Sequence, residues 1–240
     1  MKGSMKKIPK NKMSASPFSE SERLRVFLGM ITVGGYLGSF VYVLRGGVFS
    51  NAQTGNILLF SIRLGQGEIL GAFYYLIPVA AYLAGIVISE LFSVRLSSKG
   101  RLSWPTVFVA VEVAAVLVLG AVPAEAPMQI CQIAVSFLAA MQYNTFKKAE
   151  NEPMATTFCT NHLRQTGGAF ARWILNRDRE EGRRTLSHAA MIAAFVFGAA
   201  VSAALGKMFG VRSLWFAEIP LLVILADLIG ADVARARAAK

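Results

Sequence analysis

Two carboxylates stand where a chain of this kind rarely places them. Glu112 lies in the middle of one apolar run, and Glu218 lies about two turns into another, 106 positions further on. An ionisable side chain at bilayer depth can take a proton, hold a cation or line a pathway. The plainer alternative is a neutral glutamic acid hydrogen-bonded to a neighbouring helix. A second group is polar, small and prone to turn. Asn51, Gln53, Thr54, Gly55 and Asn56 fall between two apolar runs, and the same offset of 106 lays Thr54-Gly55-Asn56 over Thr160-Asn161-His162. Amides and hydroxyls of these types can satisfy exposed backbone or bind a solute. His162 is either a solute or proton ligand or an ordinary turn histidine. Gln142 and Asn144, near the end of another apolar run, can hydrogen-bond between helices for about 1 kcal/mol each.

Other chemistry finds no support. Cys131 and Cys159 belong to no CxxC or Cys/His cluster, so neither a disulfide framework nor a metal site is expected. There is no Walker loop, dinucleotide fingerprint or GxSxG elbow, and no cofactor is expected. No nucleophile–base pair or metal triad can be assembled, so the chain is not read as an enzyme.

The elements that must position these residues are long and apolar. The chain has 240 residues, 55% of them hydrophobic and only 16% charged, with a mean hydropathy of +0.50. That composition points to a membrane protein. A spanning helix needs about 20 mostly apolar residues, and six windows qualify: 26–44, 69–92, 104–122, 127–146, 187–206 and 213–231. Two shorter segments do not. One is 50–66; the other is 155–177, with Arg164 and Arg172 inside it. Pro78 and Pro220 are expected to kink their spans. Gly34 with Gly38, Gly198 with Ser202 and Ser202 with Gly206 are spaced for close helix contacts.

The net charge of +11 raises the question of nucleic acid. Its placement answers otherwise. With six spans and a cytoplasmic N-terminus, 21 of the 25 basic residues fall on the inner side, leaving Arg45, Arg63, Lys207 and Arg212 outside. An eight-span alternative moves Arg95, Lys99 and Arg101 outside and drives Arg164 and Arg172 into the bilayer at a few kcal/mol each. The positive charge is therefore an orientation signal and an attraction to anionic inner-leaflet lipid, and no nucleic-acid partner is expected. Residues 1–20 are expected to be a disordered basic tail with no cleavable leader, and residues 21–240 one transmembrane domain. Multi-pass insertion in a bacterial inner membrane with both termini cytoplasmic is the expected location.

The offset of 106 also implies an internal repeat. About 26–122 and about 127–231 each read as span, short segment, span, span. Three spans per half invert the second half relative to the first, as in many transporters and channels. The expected fold is all-α, with six transmembrane helices in two inverted three-helix repeats, each carrying a short broken or re-entrant segment. Irregular backbone at membrane depth needs protein or water around it. Gly55 is expected to turn through positive φ, with Asn161 its left-handed counterpart. Gln53-Thr54-Gly55 over Gln165-Thr166-Gly167 is a rival register.

A Gly-Tyr pair in the first span (Gly35, Tyr36), the turn Phe49-Ser50 with Gln53-Thr54-Gly55-Asn56, Met141-Gln142 late in the fourth span, and Thr157 with Thr160 resemble the YoaK family. This is a group of small bacterial membrane proteins of unknown activity, catalogued under DUF1275. The resemblance covers about residues 26 to 231 and implies a polytopic topology. Family members usually carry Asp two residues after the Tyr, where this chain has Gly38, and Thr-Gly in the second half becomes Thr160-Asn161. A proton or cation step that depends on that Asp would be missing here.

The expected function is a small-solute transporter or channel, with its site at the paired polar breaks. The alternative is a non-transporting membrane scaffold or accessory subunit. Membrane lipid and an unidentified small solute are the expected partners, and a homodimer is compatible with so small a bundle.

Overall fold

A computed structural model describes residues 18–96 and 102–238 of the chain. The basic tail up to residue 17, together with Lys99 and Arg101, lies outside the described residues. After a short 3-10 turn at Glu20–Glu22 the helices are α1 (Leu24–Leu44), α2 (Gln53–Gly65), α3 (Ile69–Phe73), α4 (Leu76–Leu96), α5 (Trp104–Gly120), α6 (Met128–Thr145), α7 (Thr160–Asn176), α8 (Arg179–Phe209) and α9 (Glu218–Ala238). A 3-10 stretch, Gly210–Ala217, joins α8 to α9. The fold is all-α apart from one small hairpin, β1 (Lys148–Ala149) with β2 (Glu152–Pro153). That hairpin was not expected. It turns through Glu150 and Asn151, both at positive φ, in a stretch without the strand signals that periodicity can detect.

Among the described residues, three helical stretches are long and apolar enough to cross a membrane: Leu24–Leu44, Ile69–Arg95 and Arg179–Ala238. Two of the six expected windows fall short for identifiable reasons. α5 has 17 residues, and at about 1.5 Å each they do not fill a hydrocarbon core about 30 Å thick. α6 dilutes its apolar run with Gln129, Gln132, Gln142 and Asn144. The last two windows fall within one continuous helical stretch. Large apolar side chains cover the outside, among them Leu70, Leu175, Leu186, Met208, Val94 and Phe197. A water-soluble surface does not carry apolar area on that scale.

Pro78 and Pro220 sit at helix starts, each just after an irregular stretch of its expected span. Each is the third residue of its helix, where the missing N–H has no partner within the helix in any case. The turn that does require special backbone follows α1, where Gly46 and Gly47 adopt φ of +94° and +68°. Arg45 anchors this turn. Its guanidinium is buried and donates to the carbonyls of Pro123 (2.9 Å) and Val122 (2.7 Å), between α5 and α6. At the other end of α5, Asp232 of α9 accepts from the Ser103 N–H (2.8 Å) and from the hydroxyls of Ser103 (3.0 Å) and Thr106 (2.6 Å). An acceptor there satisfies orphan donors of the first turn.

The closest packing is backbone on backbone. α1 packs against α8, α4 against α6, and α5 against α9. A Cβ on Gly198 would collide with the Thr32 carbonyl, and one on Gly35 with the Phe195 carbonyl. A Cβ on Gly85 would stand 2.5 Å from the Phe137 carbonyl oxygen. The small-residue spacing anticipated Gly198 but missed Gly35 and Gly85. Between the helices lies an aromatic core in which Phe146 meets Phe27 and Phe108 edge to face.

Candidate functional site at the paired chain breaks

The first break runs back along the helix it has just left. After Gly46-Gly47 the chain turns inward, and Asn51 Nδ2 donates to the carbonyl of Gly34 (3.1 Å), midway along α1. Asn51 also fills the space beside Gly38, where a Cβ would lie 2.6 Å from its amide nitrogen. Asn56, one turn into α2 and fully buried, holds the loop closed. It accepts from Phe49 N–H (3.0 Å) and donates to the Phe49 carbonyl (2.6 Å) and to Gln53 Oε1 (2.8 Å). Gln53 Nε2 in turn donates to the Ser50 carbonyl (2.9 Å).

Two expectations for this stretch are corrected. Gly55 is helical and is not among the residues at positive φ. It is small because a Cβ would stand 2.7 Å from the Phe49 ring. Thr54 is exposed, so the backbone is satisfied by Asn56 and Gln53 instead. Asn56 takes the backbone-satisfying role, with both amide hydrogens and its oxygen engaged within the loop. Asn56→Ala leaves both polar groups of Phe49 without this partner. It should cost about 1–3 kcal/mol, the penalty of a buried polar group left unsatisfied. Gly55→Ala should cost less, because the Phe49 side chain that it meets can swing aside. Thermal unfolding in detergent ranks the two, and parental stability of Asn56→Ala would show that the clamp is unimportant.

The second break is built in the same way. Residues 154–157 are buried. Gln142 Nε2, from α6, donates to the Thr156 carbonyl (3.1 Å) and to the Met30 carbonyl on α1 (2.8 Å). The Thr156 oxygen sits 2.5 Å from where a Cβ on Gly34 would be. His162 lies in the first turn of α7, and its Nε2 contacts the Ala155 carbonyl at 2.7 Å. Asn56 bonds to Phe49 and His162 to Ala155, so each clamp reaches back seven residues. Asn161 is helical rather than left-handed and lines a cleft of about 380 Å³ with Tyr143, Asn144, Lys147, Ala155 and Phe158. Thr160 opens α7 and is exposed. Asn144 donates to Glu90 on α4 (2.9 Å).

The two breaks therefore converge on one residue, Gly34, which Asn51 meets through its carbonyl and Thr156 through its side-chain face. Glu112 and Glu218 make a separate group between α5 and α9. Glu112 is fully buried and Glu218 is 6% exposed. All four of their carboxyl oxygens are buried with no hydrogen-bond partner among the described residues, and the two groups are close enough to feel each other's charge. Neither lines the cleft at the second break.

Two contributors escaped the sequence reading. Arg45 looked like one of a few outer-side charges. His188 begins an apolar window, and its Nδ1 lies 2.8 Å from Nδ1 of His162. Being the only other histidine in the chain was its one available signal. Among the described residues, no group of three or more His, Cys, Asp or Glu is placed to hold a metal ion.

Apolar helices of membrane length around buried polar breaks define a helical membrane-type protein. The chain belongs to the family described as Protein of unknown function (DUF1275), which matches residues 26–226. No curated protein and no solved structure matches the chain.

Proposed function

We propose that the chain is a bacterial inner-membrane transporter or channel for a small solute, with its pathway at the paired breaks. The observation that carries this reading is the convergence of both breaks on Gly34, at the midpoint of α1. Irregular backbone at that depth has a use when a solute must be met there.

An inverted repeat of six spans is supported by three correspondences. First, α1 of one half packs on α8 of the other, as α6 packs on α4. Second, Gly198 of α8 abuts the Thr32 carbonyl while Gly85 of α4 abuts the Phe137 carbonyl. At the offset of 106, position 137 falls one residue from the counterpart of Thr32. Third, the clamps Asn56–Phe49 and His162–Ala155 match at that same offset, which favours it over the rival register through Gln165. In this arrangement the 60-residue stretch Arg179–Ala238 crosses twice, and α5 and α6 complete the six. Both termini are cytoplasmic, membrane lipid surrounds the bundle, and neither nucleic acid nor enzymatic turnover is part of the function.

Topology is tested with single cysteines in a background lacking Cys131 and Cys159. Positions 66 and 124 should react with an impermeant maleimide in intact cells, and position 177 should react only after permeabilisation. Equal reaction at 66 and 177 would rule out the six-span arrangement. Function is tested by reconstituting the purified protein in vesicles and following solute-driven volume changes across neutral, anionic and cationic small solutes. Rates above those of empty vesicles for at least one class are expected. Rates equal to empty vesicles for every class would favour the scaffold alternative, which the tight glycine-mediated packing of α1 on α8 would also serve.

A further inference from the structure

The histidine pair has a proton arrangement that its contacts dictate. A carbonyl oxygen can only accept, so His162 Nε2, 2.7 Å from the Ala155 carbonyl, carries a hydrogen. A neutral imidazole has one N–H, which leaves His162 Nδ1 bare. The short contact between the two Nδ1 atoms, 2.8 Å, then requires His188 Nδ1 to donate. His188 Nε2 is left with a free lone pair. Both rings are buried, His162 fully and His188 to 2% exposure.

We propose that His162 and His188 form one proton-binding site that governs the second break, with His188 Nε2 as the atom that takes the proton. This rests on the reading of the break as part of a transport pathway and adds the ion that acts on it. One proton at His188 Nε2 leaves both hydrogen bonds intact, because His188 Nδ1 still donates and His162 Nδ1 still accepts. A second proton has only His162 Nδ1 to occupy. It would set two N–H groups against each other across 2.8 Å and two positive charges side by side. The bond between α7 and α8 then parts, and the Ala155–Thr157 loop loses its tie to α8. The groups facing the pair are the Ala155 carbonyl from the loop, Glu152 from β2 and Arg184 from α8, the last two paired with each other. The Glu152 carboxylate is committed to Arg184 and takes a proton only by giving up that ion pair, so His162 Nδ1 is the next acceptor within the pair.

The chain contains only two histidines, so an untagged protein labelled with nitrogen-15 histidine gives four ring signals. Near neutral pH, His162 should appear as the Nε2–H form and His188 as the Nδ1–H form. Hydrogen exchange of the segment 154–159, corrected for intrinsic rates, should rise about tenfold per pH unit through the second protonation, the slope of a one-proton event. The sign follows because only the opened form accepts that proton, so the break is held more tightly as pH rises. His188→Asn offers an amide that can turn either its N–H or its oxygen toward His162 Nδ1, so it keeps a hydrogen bond whether or not that nitrogen is protonated, and should keep the segment protected at acid pH. His188→Ala should expose it at every pH. Reversed tautomers, or acid exposure in His188→Asn equal to that of the parent, would overturn the proposal. No readout uses a solute, so a failure of the transport reading is seen separately.

Discussion

Gly198→Ala should lower the thermal midpoint of the protein in detergent, while Gly230→Ala should leave it unchanged or raise it. Both positions are helical glycines, in α8 and α9. A methyl group on Gly198 meets the Thr32 carbonyl. That obstacle is backbone and cannot rotate away, so α8 must withdraw from α1. Gly35 of α1, against Phe195 of α8, and Gly206 of α8, against Leu44 of α1, lie in the same crossing and lose their contacts as well. Overpacking of this kind costs about 1–3 kcal/mol, and for a chain of this length each kcal/mol is worth roughly 2–4 °C. Gly230 has nothing within 4 Å of its missing Cβ. Its replacement by alanine offers the helix about 1 kcal/mol of propensity. Equal behaviour of the two variants would mean that the α1–α8 crossing is looser than its geometry implies.

Glu112→Met should make the protein more stable and, on the proposed transport reading, remove any proton- or cation-dependent flux. Glu112 is fully buried, and both of its carboxyl oxygens lack partners among the described residues. In that setting the group is costly in either protonation state. It costs several kcal/mol if ionised and about 1–3 kcal/mol as a neutral acid without a partner. Methionine has similar length and no such cost, so a gain of about 1 kcal/mol or more is expected. Glu112→Gln leaves an amide equally unpartnered and should match the parent in stability. Both variants should lose whatever proton- or cation-dependent flux the parent shows, because neither can carry the charge. A destabilised methionine variant would expose a hidden partner for the carboxyl group, and parental flux in both variants would remove Glu112 from the pathway.

The apolar class of the chain, the position of its long helices and the existence of two breaks were all legible in the residues. These depend on composition and local periodicity, which act within a few turns of chain. For Asn56 and His162 the residue types left two roles open, satisfying the turn or meeting a solute or proton, and the contacts with Phe49 and Ala155 supply the first. Sequence alone shows that an amide is present, not that the Phe49 backbone seven residues earlier consumes its hydrogen bonds. For the same reason Gly55 suggested a left-handed turn, when the constraint is the Phe49 ring beside it and the positive φ belongs to Gly46 and Gly47. Only the tertiary structure could bring both breaks to Gly34, set His188 against His162, or place Glu112 near Glu218 without partners. Each of these joins residues far apart in the chain. Such contacts are decided by which helices pack together and how closely their backbones approach, and no local pattern of residue types encodes that distance.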